Sequence, residues 1–333
     1  MQGQFGPTRH TAILILISLM PVCSSCSRSS GNRAVSVLYA GSLATVMENG
    51  LGPAFSKSTG LEYKGEAQGS LGAARLIRDH LRTPDVFISA DPSVNETVLM
   101  GVANEDFVSW FLILASSELV LAYNPSTKNA AQFAAAASGD LPWYQVLETP
   151  GVRFGRGDPS IDPKGYRTLF LFDLASKHYN RPDLTGLLGD PMNPDQVFPE
   201  IVLLARVESG QFDAGIFYKH EVVAHKLPFI ELPPEINLGD PKSAKAYGQV
   251  SYTTPTGERV EGSPILFTIT IPKTVRNERG AEEFVRFLLS SSELLRGFGL
   301  SVVEHRIGGN PRLIPTELQG FASGTFEPGT FEP

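Results

Sequence analysis

The sequence predicts an α/β fold. Short apolar, β-branched runs alternate with stretches of helical apolar spacing along the body of the chain. The loops that leave those strands are small or acidic and lead into helix starts, the layout of a sheet whose ligand sites sit at strand carboxyl ends. At 333 residues, 42% hydrophobic and 19% charged, the chain is long and apolar enough for one large or two ordinary domains.

The elements run in order from Ala34. Residues 35–39 form a strand, and Ser42 opens a helical pattern through Leu43, Val46, Met47 and Phe55. Residues 85–88 are a short strand ending in Ser89, Ala90 and Asp91. Residues 111–114 and 119–122 are two extended runs close together. Residues 151–157 are a strand running into a Gly/Pro-rich loop, and 166–179 and 199–209 carry helical spacing, with the strand 214–217 after them. The Pro-, Gly- and Lys-rich stretch 233–263 reads as a long loop or meander. The strand 265–271 alternates β-branched residues, and residues 282–298 read as one closing amphipathic helix.

Both ends differ from the body. Arg9 and His10 precede an apolar or small stretch over 11–22, too short for a stop-transfer helix and suited to an export signal. Cys23 and Cys26 follow, and a small-residue site ending in Cys resembles a bacterial lipoprotein signal. Ser24 and Ser25 make Cys26 the favoured lipidation site, so residues 1–26 are the expected signal peptide and 27–33 a tether. The tail, 319–333, repeats Gly-Thr-Phe-Glu-Pro and is expected to be disordered.

Composition excludes several functions. With a net charge of −7 and no Lys/Arg block, nucleic acid is not an expected partner. Both cysteines lie before residue 27, so neither a disulfide framework nor a cysteine-held metal is expected in the body. Phosphate-loop, nucleophile-elbow and paired-histidine motifs are missing. The six histidines (10, 80, 178, 220, 225, 305) sit beside polar or charged neighbours and read as surface residues.

The chemistry is concentrated at three helix starts: Ala-Gly-Ser-Leu at 40–43, Gln-Gly-Ser-Leu-Gly at 68–72 and Asp-Pro-Ser-Ile-Asp-Pro-Lys-Gly-Tyr at 158–166. Each exposes backbone N–H groups at a positive dipole end with a hydroxyl or glycine nearby. Taken singly, Ser42, Ser70 and Asp162 are ordinary N-caps and Pro163 an ordinary first helical residue. Converging, they would bind a small oxyanion.

These segments, with residues 37–43, 84–91, 155–167, 207–210 and 229–241, resemble the tungstate/molybdate-binding proteins of ABC importers, and most closely the tungstate-type branch, from about residue 35 to about 315. The resemblance implies a two-lobed periplasmic-binding-protein fold of type II with crossing hinge strands. Lobe one would take 34–116 plus 264–318 and lobe two 117–263, with residues 111–122 and 265–271 crossing between them. It implies that Ser42 and Ser70 donate to oxyanion oxygens, that Lys164 presents a backbone N–H where the branch more often has Cys, and that Tyr218 binds. Asp162, and Glu200 at 18 residues before Tyr218, would reach the metal itself. Glu208 is expected on a helix surface and Glu221 facing solvent, while Arg156, Asp158 and Arg167 build the loop.

The implied protein is an exported, lipid-anchored monomer that passes its oxyanion to a membrane permease, with no cofactor and no catalysis. The rivals are another oxyanion such as sulfate on the same scaffold, and a secreted enzyme using Asp162 and Glu200 as an acid–base pair. A sensor or adhesin that kept the lobes and lost the ligand is a third.

Overall fold

The computed structural model describes residues 1–4, 6 and 33–327; most of the expected signal peptide, with Cys26, and all but the last residue of the tether lie outside the described residues. Fourteen strands fall into three sheets among the described residues. The first is seven-stranded, in the order β14-β13-β4-β12-β3-β1-β2. It is built from β1 (Ala34–Ala40), β2 (Glu62–Gln68), β3 (Val86–Ser89), β4 (Trp110–Ser116), β12 (Leu266–Thr270), β13 (Arg306–Gly309) and β14 (Gly324–Thr325). The second is five-stranded, in the order β7-β6-β8-β5-β9. Its members are β5 (Leu119–Tyr123), β6 (Phe154–Gly157), β7 (Val197–Phe198), β8 (Ala214–Tyr218) and β9 (Phe229–Glu231). A hairpin of β10 (Ser251–Thr253) and β11 (Arg259–Glu261) packs against the helix Pro163–His178 of this second lobe.

The chain passes between lobes with almost no slack. Only Ser117 and Glu118 separate β4 from β5, and the return path enters β12 directly after Ile265. The two crossings lie side by side, Ser117 N donating to Ile265 O at 3.3 Å. Both large sheets are mixed: β1 is parallel to β2 and β3, and β6 to β7 and β8, whereas the fully buried β12 and β5 pair antiparallel with their neighbours. Val86, Phe87, Ile88 and Ser89 are all buried, as expected of a strand covered on both faces.

Several elements differ from the sequence reading for physical reasons. The closing helix is two helices, Glu278–Leu289 and Ser292–Gly297. The Ser291 hydroxyl donates back to Phe287 O at 2.7 Å, a local bond of the kind that competes with continued helix. The first segment still buries Ala281, Phe284, Val285 and Leu288, with Phe284 edge-on to Phe55 at 4.9 Å. The helical stretch after β1 changes pitch: a 3-10 turn at Gly41–Leu43, an α-turn, then a wider π-turn at Met47–Leu51. Strand β2, Glu-Tyr-Lys-Gly-Glu-Ala-Gln, has too few apolar residues to announce itself because it is a sheet edge. The meander 233–263 contains the β10–β11 hairpin. The start of the expected disordered tail is packed: β14 pairs with β13, Phe326 N donates to Ile307 O at 2.7 Å, and its ring meets Phe111.

The lobes meet across the cleft at glycines. Gly72 N donates to Ile161 O (3.1 Å), and a methyl on Gly69 would stand 2.6 Å from that carbonyl and 3.4 Å from Asp162 Cβ. Gly69→Ala is therefore expected to hold the lobes apart. Hydrogen exchange at the Gly72 amide should quicken at least tenfold, with Tm within about 2 °C of the parent because the clash is between lobes and not within a core. Unchanged exchange would contradict this contact.

Candidate functional site

The three predicted helix starts do converge, and they behave differently from one another. Asp162 is a true N-cap: extended backbone (φ −134°, ψ 127°), Pro163 at the first helical position, and Oδ1 accepting from Lys164 N at 2.9 Å. Its Oδ2 is buried with no hydrogen-bond partner. Ser42 does not cap; it lies inside the 3-10 turn, 5% exposed, with Oγ buried and unpartnered. Ser70 does not cap either: Gly69 is the N-cap residue, and Ser70 Oγ accepts from Ala90 N at 3.0 Å. That bond fills a lone pair and leaves the hydroxyl proton to donate elsewhere.

Tyr218, at the end of β8, is locked in the same sense. Arg167 Nη1 donates to its hydroxyl oxygen at 2.8 Å. Burial pushes the phenol well above its ordinary range, against the pull of Arg167, so it stays protonated with its proton available. Arg167, read from sequence as a loop builder, instead reaches the other lobe. It donates to Ala90 O (2.6 Å) and to Asp91 Oδ2 (2.8 Å), which also accepts from Tyr166 Oη at 2.8 Å. Arg156 and Asp158 do shape loops: Arg156 donates to the carbonyls of Asp190 and Pro191, and Asp158 accepts from Ser160 N and Oγ.

The centre is a buried cluster of one ammonium and several carboxylates. Lys164 is fully buried. Its Nζ lies 2.8 Å from Glu200 Oε1 and 2.8 Å and 3.0 Å from the two oxygens of Glu221. Glu221 is a correction to the sequence reading: it is 4% exposed, not solvent-facing, and its Oε2 also accepts from Tyr218 N at 2.8 Å. Lys164 is likewise more than a backbone contact, since its side chain organises both glutamates. Glu200 Oε1 pairs with the ammonium by charge but is not aligned for a hydrogen bond, and it remains unpartnered in that sense. Glu200 Oε2 lies against the opposite lobe, where a methyl on Gly41 would stand 2.6 Å away. Glu208, 41% exposed, lies on the helix surface and pairs with His225 Nδ1 at 2.8 Å.

The electrostatics follow from crowding in a dry place. Burial first, then the neighbouring Glu200 charge, raises Asp162 well above the ordinary carboxylate range. Burial pushes Glu221 up to about 7 against the pull of Lys164. Burial alone would lower Lys164, but Glu200, Glu221 and Asp162 outweigh it and hold the ammonium charged. Three of the six buried side-chain polar atoms without a partner among the described residues are Ser42 Oγ, Asp162 Oδ2 and Glu200 Oε1. Buried polar atoms are rarely left so in a finished site, and these gather where a ligand would supply the missing bonds. A cavity of about 130 Å³, lined in part by Ser42, Thr45, Glu200 and Glu221, adjoins them. Among the described residues no group of three or more His, Cys, Asp or Glu side chains is placed to hold a metal ion, so the carboxylates do not form a cation cage.

The sequence reading also missed His220, which is fully buried and not at the surface. Nε2 lies 3.0 Å from Ser42 O in the opposite lobe and Nδ1 3.1 Å from Ser117 Oγ at the crossing. Its signal was the small-residue environment of its partners, which only the lobe junction brings together.

Two lobes joined by short crossings, with buried donors and acceptors facing each other across the cleft, define a solute-binding protein of the two-lobed type II architecture. Residues 35–295 match the bacterial extracellular solute-binding protein family, and the chain belongs to it. A putative ABC transporter molybdenum-binding protein of Haloferax volcanii is 40% identical over 236 residues, covering 71% of this chain and 72% of that one. The molybdate/tungstate-binding protein WtpA of Thermococcus kodakarensis is 30% identical over 345 residues, covering 93% and 94%. The Azotobacter vinelandii periplasmic molybdate-binding protein shares the fold, with a TM-score of 0.55, 18% identity, and 81% and 99% of the two chains covered.

Burial holds the His220 imidazole down to about 3. Between pH 6.5 and 3 the unfolded chain therefore binds a proton that the native chain refuses, and stability is lost as pH falls through that window at ~1.4 kcal/mol per unit. The raised Asp162 and Glu221 act in the opposite direction, so removing the imidazole should unmask them. In His220→Gln the urea midpoint is expected to fall much less between pH 6.5 and 4.5 than in the parent; an equal fall in both proteins would contradict this assignment.

Proposed function

We propose that this chain captures tungstate or molybdate in the inter-lobe cleft and hands it to the membrane permease of an ABC importer. One observation carries the reading: of two buried carboxylates, Asp162 keeps Oδ2 without a partner and Glu200 Oε1 pairs with the Lys164 ammonium by charge but not by a hydrogen bond, in a site that also holds the hydroxyls of Ser42, Ser70 and Tyr218. Carboxylates repel a simple dianion. They suit an oxyanion whose central atom is a large, hard, hexavalent metal able to accept further oxygen neighbours. Sulfur and phosphorus are too small to do so, and the same acids would then disfavour sulfate and phosphate. The names of the Haloferax and Thermococcus relatives support the same cargo.

In this reading Ser42 and Ser70 act from lobe one, and Asp162, Glu200, Tyr218 and the Lys164 backbone from lobe two. A ligand touching both lobes favours the closed state in a way a ligand on one lobe cannot. The lobes exchange no covalent chemistry with the cargo. The chain acts outside the cytoplasm as a monomer, and the apolar leader with Ser24, Ser25 and Cys26 supports a lipid anchor at Cys26.

Calorimetric titration of the purified chain with tungstate, molybdate and sulfate tests the proposal. The two metal oxyanions are expected to bind at least a hundredfold more tightly than sulfate; a preference for sulfate would overturn the metal-contact reading. Glu200→Ala should weaken tungstate binding at least tenfold and Glu208→Ala less than twofold. Equal losses would mean that the wrong carboxylate has been assigned.

A further inference from the structure

Outside the ligand cluster, one side chain ties the lobes together in a way the binding reading does not use. Arg75 lies in the helix Ser70–Arg78 of lobe one, the helix whose first residue is the donor Ser70. Its guanidinium reaches the second lobe at two places. Nε and Nη2 fork onto Glu258 at 3.2 Å and 3.0 Å, Nη2 also donates to Thr256 Oγ1, and Nη1 donates to Ser160 O at 2.8 Å. Glu258 and Thr256 lie in the turn between β10 and β11; Ser160 lies two residues before Asp162.

The pair is largely buried and prearranged. The Arg75 and Glu258 side chains are 15% and 11% exposed. The hydroxyls of Thr254 and Thr256 both donate to Glu258, and these bonds with Arg75 bring its carboxyl down to about 2 against the effect of burial. A forked, charge-assisted pair of this kind is stronger and more directional than an exposed ion pair. By contrast Arg78, on the same helix, pairs with its neighbour Asp79 at the surface.

We propose that Arg75 is a positioning residue for ligand retention: from lobe one it grips the hairpin through Glu258 and the Asp162 turn through Ser160, so that release of the cargo requires this clasp to open. The grip acts on the turn that delivers Asp162 and on the hairpin at the cleft edge, and it touches no ligand atom itself. Its effect therefore falls on the rate at which the closed cleft opens, with little on the rate at which an open cleft is found. The proposal rests on the cleft being the oxyanion site.

The test uses the full chain and tungstate as probe, with dissociation followed by chasing labelled tungstate with excess unlabelled tungstate. Arg75→Gln and Glu258→Gln are each expected to raise the off-rate at least tenfold while the on-rate changes less than threefold. Arg75→Lys keeps the charge but loses the fork and should fall between; Arg78→Gln should match the parent. Off-rates within twofold of the parent for both Arg75→Gln and Glu258→Gln, or losses shared equally with the on-rate, would overturn the clasp. A second measurement separates this from the choice of cargo: X-ray scattering of the ligand-free chains. There the radius of gyration should be larger in both variants than in the parent, and identical radii would reject the clasp even if the parent retained no tungstate.

Discussion

The buried ammonium of Lys164, shared between Glu200 and Glu221, is the interaction on which the rest of the site depends. Three acidic side chains in one dry place cannot all stay ionised without a counter-charge. Lys164 supplies it from the second residue of the helix that Asp162 caps, so the same helix start places an acid and its compensator. Removing the ammonium would leave uncompensated buried carboxylates, the costly way to break such a pair. With it in place, Glu200 is held against Gly41 of the other lobe while Asp162 and Glu200 each keep an oxygen free of hydrogen bonds.

A second set of contacts makes the site a property of both lobes at once. Arg167 joins Tyr218 to Ala90 and Asp91, and His220 joins β4's exit at Ser117 to the carbonyl of Ser42. Ser70 is oriented by the backbone of Ala90, the residue that Arg167 also grips. Ser70 and Tyr218 are thus each fixed by a neighbour that fills the acceptor side and leaves the hydroxyl proton free to donate, while Ser42 Oγ stands without a partner. This preorganisation is what a binding protein requires to keep the ordering cost of capture low.

Much of this was legible before any coordinates. Asp162 could be read as a cap because Asp-Pro at a helix start has a local meaning; Ser42 and Ser70, taken singly as caps, cap nothing, because Ser42 lies inside a 3-10 turn and Gly69 takes the cap position before Ser70. The alternation of strands and helices carried the fold class for the same local reason. What escaped was set by distance along the chain. Glu221 and Lys164 are 57 residues apart, and nothing near either says that they are buried together. Arg167 and Asp91 are 76 apart, and His220 and Ser42 are 178 apart. Exposed and buried charges look alike in sequence, and only tertiary contact distinguishes them. Likewise β2 escaped because an edge strand carries polar residues, and the helix break at Ser291 because a serine inside an apolar period does not by itself end a helix.

The central claim is that acids in this cleft contact the metal of the cargo and not merely its oxygens. Tungsten X-ray absorption on the loaded protein measures that directly. Coordination above four oxygens, with a longer shell from Asp162 and Glu200 that diminishes in Glu200→Ala, is the expected result. Four equivalent oxygens, unchanged by that substitution, would contradict it.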